Sequence, residues 1–101
     1  MVSKKLNVVI DNAAKRYLQE ACRYIKKDSL QNAEKVKAKI LASIKELIKN
    51  PLRHAPDRYR SNNDGSYRAY EIYKYRITYH VSADEIHVIR IRHTKMTPLE
   101  Y

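Results

Sequence analysis

The sequence predicts an α+β fold of order β-α-α-β-β-β, in which an N-terminal strand and an antiparallel helical hairpin pack on one face of a small, mostly antiparallel sheet. Three observations carry this expectation. Apolar residues recur at spacings of three and four from Ala14 to Ile48, then alternate with a period of two from Tyr75 to Ser82. Between these regimes lies "PLRHAPDRYRSNNDG", residues 51–65, whose two prolines, paired asparagines and Asp-Gly dipeptide mark a loop ending in a turn. The chain has 101 residues, enough for one core and too few for two, so residues 1–101 are read as a single domain.

The stretch "KLNVVI", residues 5–10, is short and β-branched and suits a first strand. Asp11 and Asn12 offer side-chain oxygens to cap a helix whose apolar positions are Ala14, Tyr17, Leu18, Ala21, Cys22 and Ile25, ending near Asp28. Ser29 caps a second helix with the stripe Ala33, Val36, Ile40, Leu41, Ile44, Leu47 and Ile48, stopped by Asn50 and Pro51. The short connection between them folds the pair back as a hairpin. "SYRAYEIY", the run from Tyr75 to Ser82, and "EIHVIRIRH" then form a three-stranded meander. Within the middle strand Tyr75, Ile77, Tyr79 and Val81 share one face, and Arg76, Thr78, His80 and Ser82 the other.

Charged residues make up 32% of the chain and the formal net charge is +10, of which residues 1–50, with twelve cations against five anions, hold most. Such a balance favours phosphate-rich or acidic partners and says nothing about fold. The single cysteine, Cys22, cannot form an internal disulfide and reads as a small apolar core group. No signal peptide or membrane-length apolar run is present, so a cytoplasmic location without membrane contact is expected. The four histidines lack Cys or Asp partners at ligand spacing; neither a metal nor another cofactor is expected.

A tight turn pairing Ser82 with Glu85 sets Val81 opposite Ile86, Thr78 opposite Ile89 and Arg76 opposite Ile91. On that register His93 shares a face with Arg76, His80 and His87, and a face lined with arginine and histidine is a candidate site. A one-residue slip or a bulge moves His93 to the other side.

The strand "LNVVI", the helix "AAKRYLQEACRYI", the junction "KDSLQNAEKV", the helix end "LIKNP" and the run "YRAYEIYKYRITYHVSADEIHVIRIRHTK" together resemble the RelE/ParE superfamily, toxins of type II toxin-antitoxin systems of the plasmid-stabilising kind. The resemblance spans nearly the whole chain. It implies a protein that halts growth when free and is neutralised by a cognate antitoxin protein. RelE-like members cleave messenger RNA on the ribosome without a metal, whereas ParE-like members poison DNA gyrase and hydrolyse nothing themselves.

The expectation favours the first activity, ribosome-dependent mRNA cleavage, with gyrase inhibition as its rival and a partner set of ribosome and mRNA or of gyrase. Arg76, in "KYRITY", matches the arginine set near the scissile phosphate, and His93 resembles the near-terminal histidine used for proton transfer. Where one nuclease branch has two lysines this chain has Arg68 and Tyr70, and the spacing of "HTKMTPLEY" departs from the family pattern around the terminal Tyr101. The junction "KDSLQNAEKV" at the helical bend is more like the ParE branch.

RNA scission removes a proton from the 2′-hydroxyl, returns one to the 5′-oxygen and stabilises extra charge on phosphorus. Arg76 is assigned the charge, His93 the proton transfer, since imidazole titrates near neutral pH, and Arg68, Lys74 and Tyr101 the substrate contacts. The plainer reading pairs Arg76 with Glu71 or the chain terminus and lets His93 satisfy the backbone. Tyr75 and Tyr79 are expected to pack inward while Tyr70 or Tyr73 lies outside. The second helix's lysines read as a solvated face that can also meet nucleic-acid phosphates. "DRYRSNN", residues 57–63, is either a connector or the border of a substrate groove.

Overall fold

The apolar spacing of the first half becomes two capped helices in the computed structural model, which describes residues 6–95. Strand β1, Asn7–Ile10, leads into helix α1, Asn12–Lys26, and helix α2, Leu30–Glu46. The Asp11 carboxylate accepts the Ala13 N–H at 3.3 Å and the Ser29 hydroxyl accepts that of Asn32 at 3.1 Å, so each helix starts on its expected cap. Arg23 and Lys26 in the last turn of α1 face its negative dipole end. Among the described residues no helix is long and apolar enough to cross a membrane.

Strands β2, Tyr67–Ile72, β3, Tyr75–Val81, and β4, Glu85–His93, form the antiparallel meander. The sheet order is β1-β4-β3-β2, with β1 returning to pair in parallel with β4, Val8 opposite Ile86 and Ile10 opposite Val88. The helices cover one side. There Ala14 and Leu18 of α1, with Val36, Ile40, Ile44 and Leu47 around α2, meet Tyr75, Ile77, Tyr79, Ile86, Val88 and Ile91 of the sheet. Ile40, Leu47, Ile77, Tyr79, Ile86 and Val88 are fully buried, and each of the aliphatic ones contributes about 1.5–3 kcal/mol. Cys22 packs half-buried at the edge of this core.

The β3–β4 register corrects the sequence expectation. Val81 does face Ile86, and His80 faces His87, but the ladder then shifts between Thr78 and Tyr79: Tyr79 pairs with Val88 and Thr78 with Arg90, which leaves Ile89 without a partner. Beyond that bulge Ile77 faces Ile91, Arg76 faces Arg92 and Tyr75 faces His93. The apolar set Ile86, Val88 and Ile91 is spaced by two and then three, and one extra residue is what keeps all three on the core side.

The loop between α2 and β2 wraps the outer edge of the sheet. Ala55 C=O accepts the Ala69 N–H at 3.3 Å and Asp57 N–H donates to Tyr67 C=O at 2.7 Å, an antiparallel bridge that protects the first half of β2. The β2–β3 turn is two residues, Tyr73 and Lys74, with φ of 49° and 66°. This is the double left-handed geometry of a type I′ hairpin, normally filled by Asn-Gly.

Candidate functional site

The sheet face opposite the helices gathers Tyr67 and Glu71 from β2, Arg76, Thr78 and His80 from β3, and His87, Arg90 and Arg92 from β4. Arg76 and Arg92 stand directly opposite one another, an arrangement that repels unless anions attend it. Two do. Arg76 Nη2 donates to Asp57 Oδ1 at 2.7 Å and its Nη1 lies 3.8 Å from Glu71 Oε2. Asp57 is buried, 2% exposed, and the same oxygen accepts the Tyr59 N–H at 3.1 Å.

That bond turns residues 57–60 into a strap across the open face. The Arg76 guanidinium lies 4.9 Å from the centre of the Tyr59 ring, and that of Arg60 lies 4.2 Å over Tyr67, which in turn packs on His80 at 4.4 Å. Asn63 fixes the far end, its amide donating to Asp57 C=O at 3.0 Å and to Tyr67 C=O at 2.7 Å while its oxygen accepts from Gly65 and Tyr67 N–H. Under the strap is a cleft of about 190 Å³ bordered by Arg58, Tyr59, Glu71, Arg76, Arg92, His93 and Thr94. "DRYRSNN" therefore does border a groove.

By register the expected catalytic pair belongs to opposite faces of the sheet, Arg76 with Arg92 and His93 with Tyr75, although both border this cleft. Arg76 points to the strap, whereas the His93 ring lies edge-on to Tyr75 at 5.2 Å, and Tyr75 belongs to the core. Its Nδ1 accepts the Lys95 N–H at 3.0 Å, and its backbone N–H donates to the Tyr17 hydroxyl of α1 at 3.1 Å. His93 reaches the cleft only at the strand's end. The expected common face of Arg76, His80, His87 and His93 thus keeps its first three members and loses the fourth.

Arg68, expected to contact substrate, is spent on the fold. Its Nε donates to Gly65 C=O at 2.8 Å and its Nη1 to His54 C=O at 2.6 Å and Leu52 C=O at 3.2 Å, so one guanidinium staples both ends of the wrapping loop. Lys74 is exposed at the β2–β3 turn, where its carbonyl accepts the Thr94 N–H at 2.8 Å. Tyr101 lies outside the described residues.

Of the tyrosines, Tyr75 and Tyr79 are buried as expected and Tyr73 is exposed. Tyr70 is half-buried: Ser43 gives its proton to Ile40 C=O at 2.7 Å, so Tyr70 donates to Ser43 at 2.8 Å. Burial pushes the Tyr70 hydroxyl up to about 12, opposed in part by the Ser43 bond. The His54 ring stacks on Tyr70 at 4.1 Å, and burial, then the neighbouring Arg53, holds its pKa below the usual histidine value.

Residues 57–63 were expected as a connector or a groove border, but the individual parts played by Asp57, Arg58 and Tyr59, and that of Arg92, were not expected. Arg92 was visible as the second arginine of "IRIRH", but its alignment with Arg76 depended on the bulge. Asp57 gave no signal, since nothing local distinguishes a buried carboxylate from a solvated one.

A small, mostly antiparallel sheet backed by a helical hairpin, with a basic, strapped outer face, defines a compact α+β protein. The description of the ParE toxin of type II toxin-antitoxin systems, parDE, matches residues 8–98, and the chain belongs to that family. It is the toxin of such a system, and a cognate antitoxin is its implied partner. Among solved structures, one of the chromosomal ParDE toxin-antitoxin system from P. aeruginosa matches with a TM-score of 0.70 at 19% identity, covering 90% of this chain and 98% of that one. The YoeB dimer from Staphylococcus aureus matches with a TM-score of 0.56 at 17% identity, covering 88% and 97%. Both are likenesses of fold. A comparison with curated proteins found no match.

Proposed function

We propose that this chain arrests growth as a ParE-like poison of DNA gyrase, without cutting nucleic acid itself. The observation that supports this best is the separation of Arg76 from His93. Metal-independent RNA scission needs a charge stabiliser and a proton carrier at one phosphate. Here the guanidinium is held by buried Asp57 and the imidazole sits on Tyr75 across the sheet. The ParE family match is in keeping with that reading, because the ParE branch, which the junction "KDSLQNAEKV" resembles, acts on gyrase and not on messenger RNA. Gyrase is cytoplasmic, and that is the compartment proposed for the toxin.

Ribosome-dependent mRNA cleavage, the reading the sequence favoured, keeps one observation in its support: Arg76 and His93 both border the strapped cleft. For it to hold, Arg76 must leave Asp57 and the His93 ring must swing from Tyr75. Arg68, bound to three carbonyls, would have to release the loop to meet a phosphate.

Inducing the chain alone in growing cells separates the two. Gyrase poisoning predicts that DNA synthesis stops first, with broken chromosomes and an SOS response, while ribosome-bound messages stay intact. Translation arrest with intact DNA would overturn the proposal in favour of cleavage.

A further inference from the structure

The β2–β3 turn is strained where it need not be. A two-residue turn of this geometry is easiest with Asn-Gly, yet Tyr73 and Lys74 occupy it with φ of 49° and 66°. Neither side chain stabilises the fold in an evident way. Tyr73 is 44% exposed, and only the backbone of Lys74 is engaged, by Thr94 N–H.

The turn has company. The helical bend between α1 and α2 lies beside it, and there Tyr24 is 70% exposed, with Lys27 5.8 Å from its ring centre. Between the two bends opens a cleft of about 320 Å³ with Tyr24, Tyr73, Lys74 and His93 around it and Val36 and Tyr75 in its floor. Among the described residues no carboxylate lines it, and close by in sequence the exposed cations Lys26, Lys27 and Lys95 stand against the exposed acid Asp28. Apolar floor, aromatic jaws and a cationic rim are the pattern of a protein-docking hot spot that selects an acidic partner.

We propose that this cleft, with Tyr24 and Tyr73 as its jaws, docks an acidic segment of the toxin's target enzyme that carries an apolar anchor side chain. The inference rests on the gyrase reading above. It gives His93 a part as a wall of a binding cleft, in contact with Tyr75, and gives the strained turn a reason to carry tyrosine and lysine.

The test is the affinity of purified gyrase for the full-length toxin and two variants, Tyr24→Ser and the double substitution Tyr73→Asn with Lys74→Gly. The double variant relaxes the turn and should unfold at the same or a higher temperature than the parent. Each variant is expected to bind gyrase at least about tenfold more weakly, because a truncated aromatic anchor commonly costs that much, while cognate-antitoxin affinity changes little. Unchanged gyrase affinity in both variants would overturn the cleft assignment and leave the gyrase reading standing. Failure of the parent toxin itself to bind gyrase would overturn both. Parallel loss of antitoxin and gyrase affinity would assign the cleft to the antitoxin and contradict the proposal. Should the double variant unfold early, Tyr24→Ser, on an exposed helix face, decides alone.

Discussion

Asp57 accepts a hydrogen bond from Arg76 at 2.7 Å, joining the strap over the sheet's outer face to the middle of β3 through a carboxylate that is 2% exposed. A charge that deep is tolerable only with its partner in place. Asp57→Ala is therefore expected to lower the unfolding free energy by about 2–4 kcal/mol, below the worst cases of a broken buried pair because Arg76 keeps Glu71 and some solvent. Urea denaturation checks this. Arg76→Ala should cost a similar amount by stranding Asp57, so lost toxicity in that variant is informative only alongside its stability.

Arg68 predicts a local effect. Removing its three carbonyl contacts in Arg68→Ala should cost about 2 kcal/mol, in the range for charge-assisted bonds. Amide hydrogen exchange should quicken at Asp57 and Ala69, which bridge the loop to β2. Arg68→Lys should rescue little, since an ammonium cannot fork to Gly65 and His54 together.

The Tyr79 ring is fully buried and its hydroxyl donates to Pro51 C=O at 2.7 Å. Tyr79→Phe keeps the packing and leaves that carbonyl unpaired, a loss of about 1–2 kcal/mol by thermal unfolding. Tyr79→Ala removes the ring as well and should cost about 3–5 kcal/mol.

His54 sets a pH dependence. Its folded pKa lies below 6.5, through burial first and Arg53 second, so the unfolded chain binds the proton more readily. The stability it contributes is present above its unfolded pKa and is lost as pH falls through and below that value. His54→Phe keeps a ring against Tyr70 without titrating. The wild type should lose stability relative to that variant between about pH 7 and pH 5, measured by urea midpoints; parallel curves would contradict the assignment.

The helices and strands were legible because their apolar periods are long and their caps are local. Asp11 and Ser29 sit where they cap, and Ile40, Ile44, Ile77 and Tyr79 fall on the buried side that spacing gave them. The face of His93 was not legible in the same way. It hangs on one unpaired residue, Ile89, in a strand whose adjacent apolar pair "VI" admits either phase, and only packing against α1 and α2 selects the bulge. The stretch that forms the strap was named in the sequence, but its anchorage was hidden for another reason. Asp57 becomes a buried ion partner through a contact nineteen residues distant, and Arg68 looked like a phosphate ligand because two of the three carbonyls it meets, those of Leu52 and His54, lie sixteen and fourteen residues away.

The most direct measurement is made on purified components: supercoiled DNA and gyrase with ATP in one reaction, ribosomes engaged on a message in another, each with the toxin added. Gyrase poisoning predicts that linear, protein-linked DNA accumulates in the first and that the message in the second stays whole. A cut message beside undamaged DNA would contradict the account.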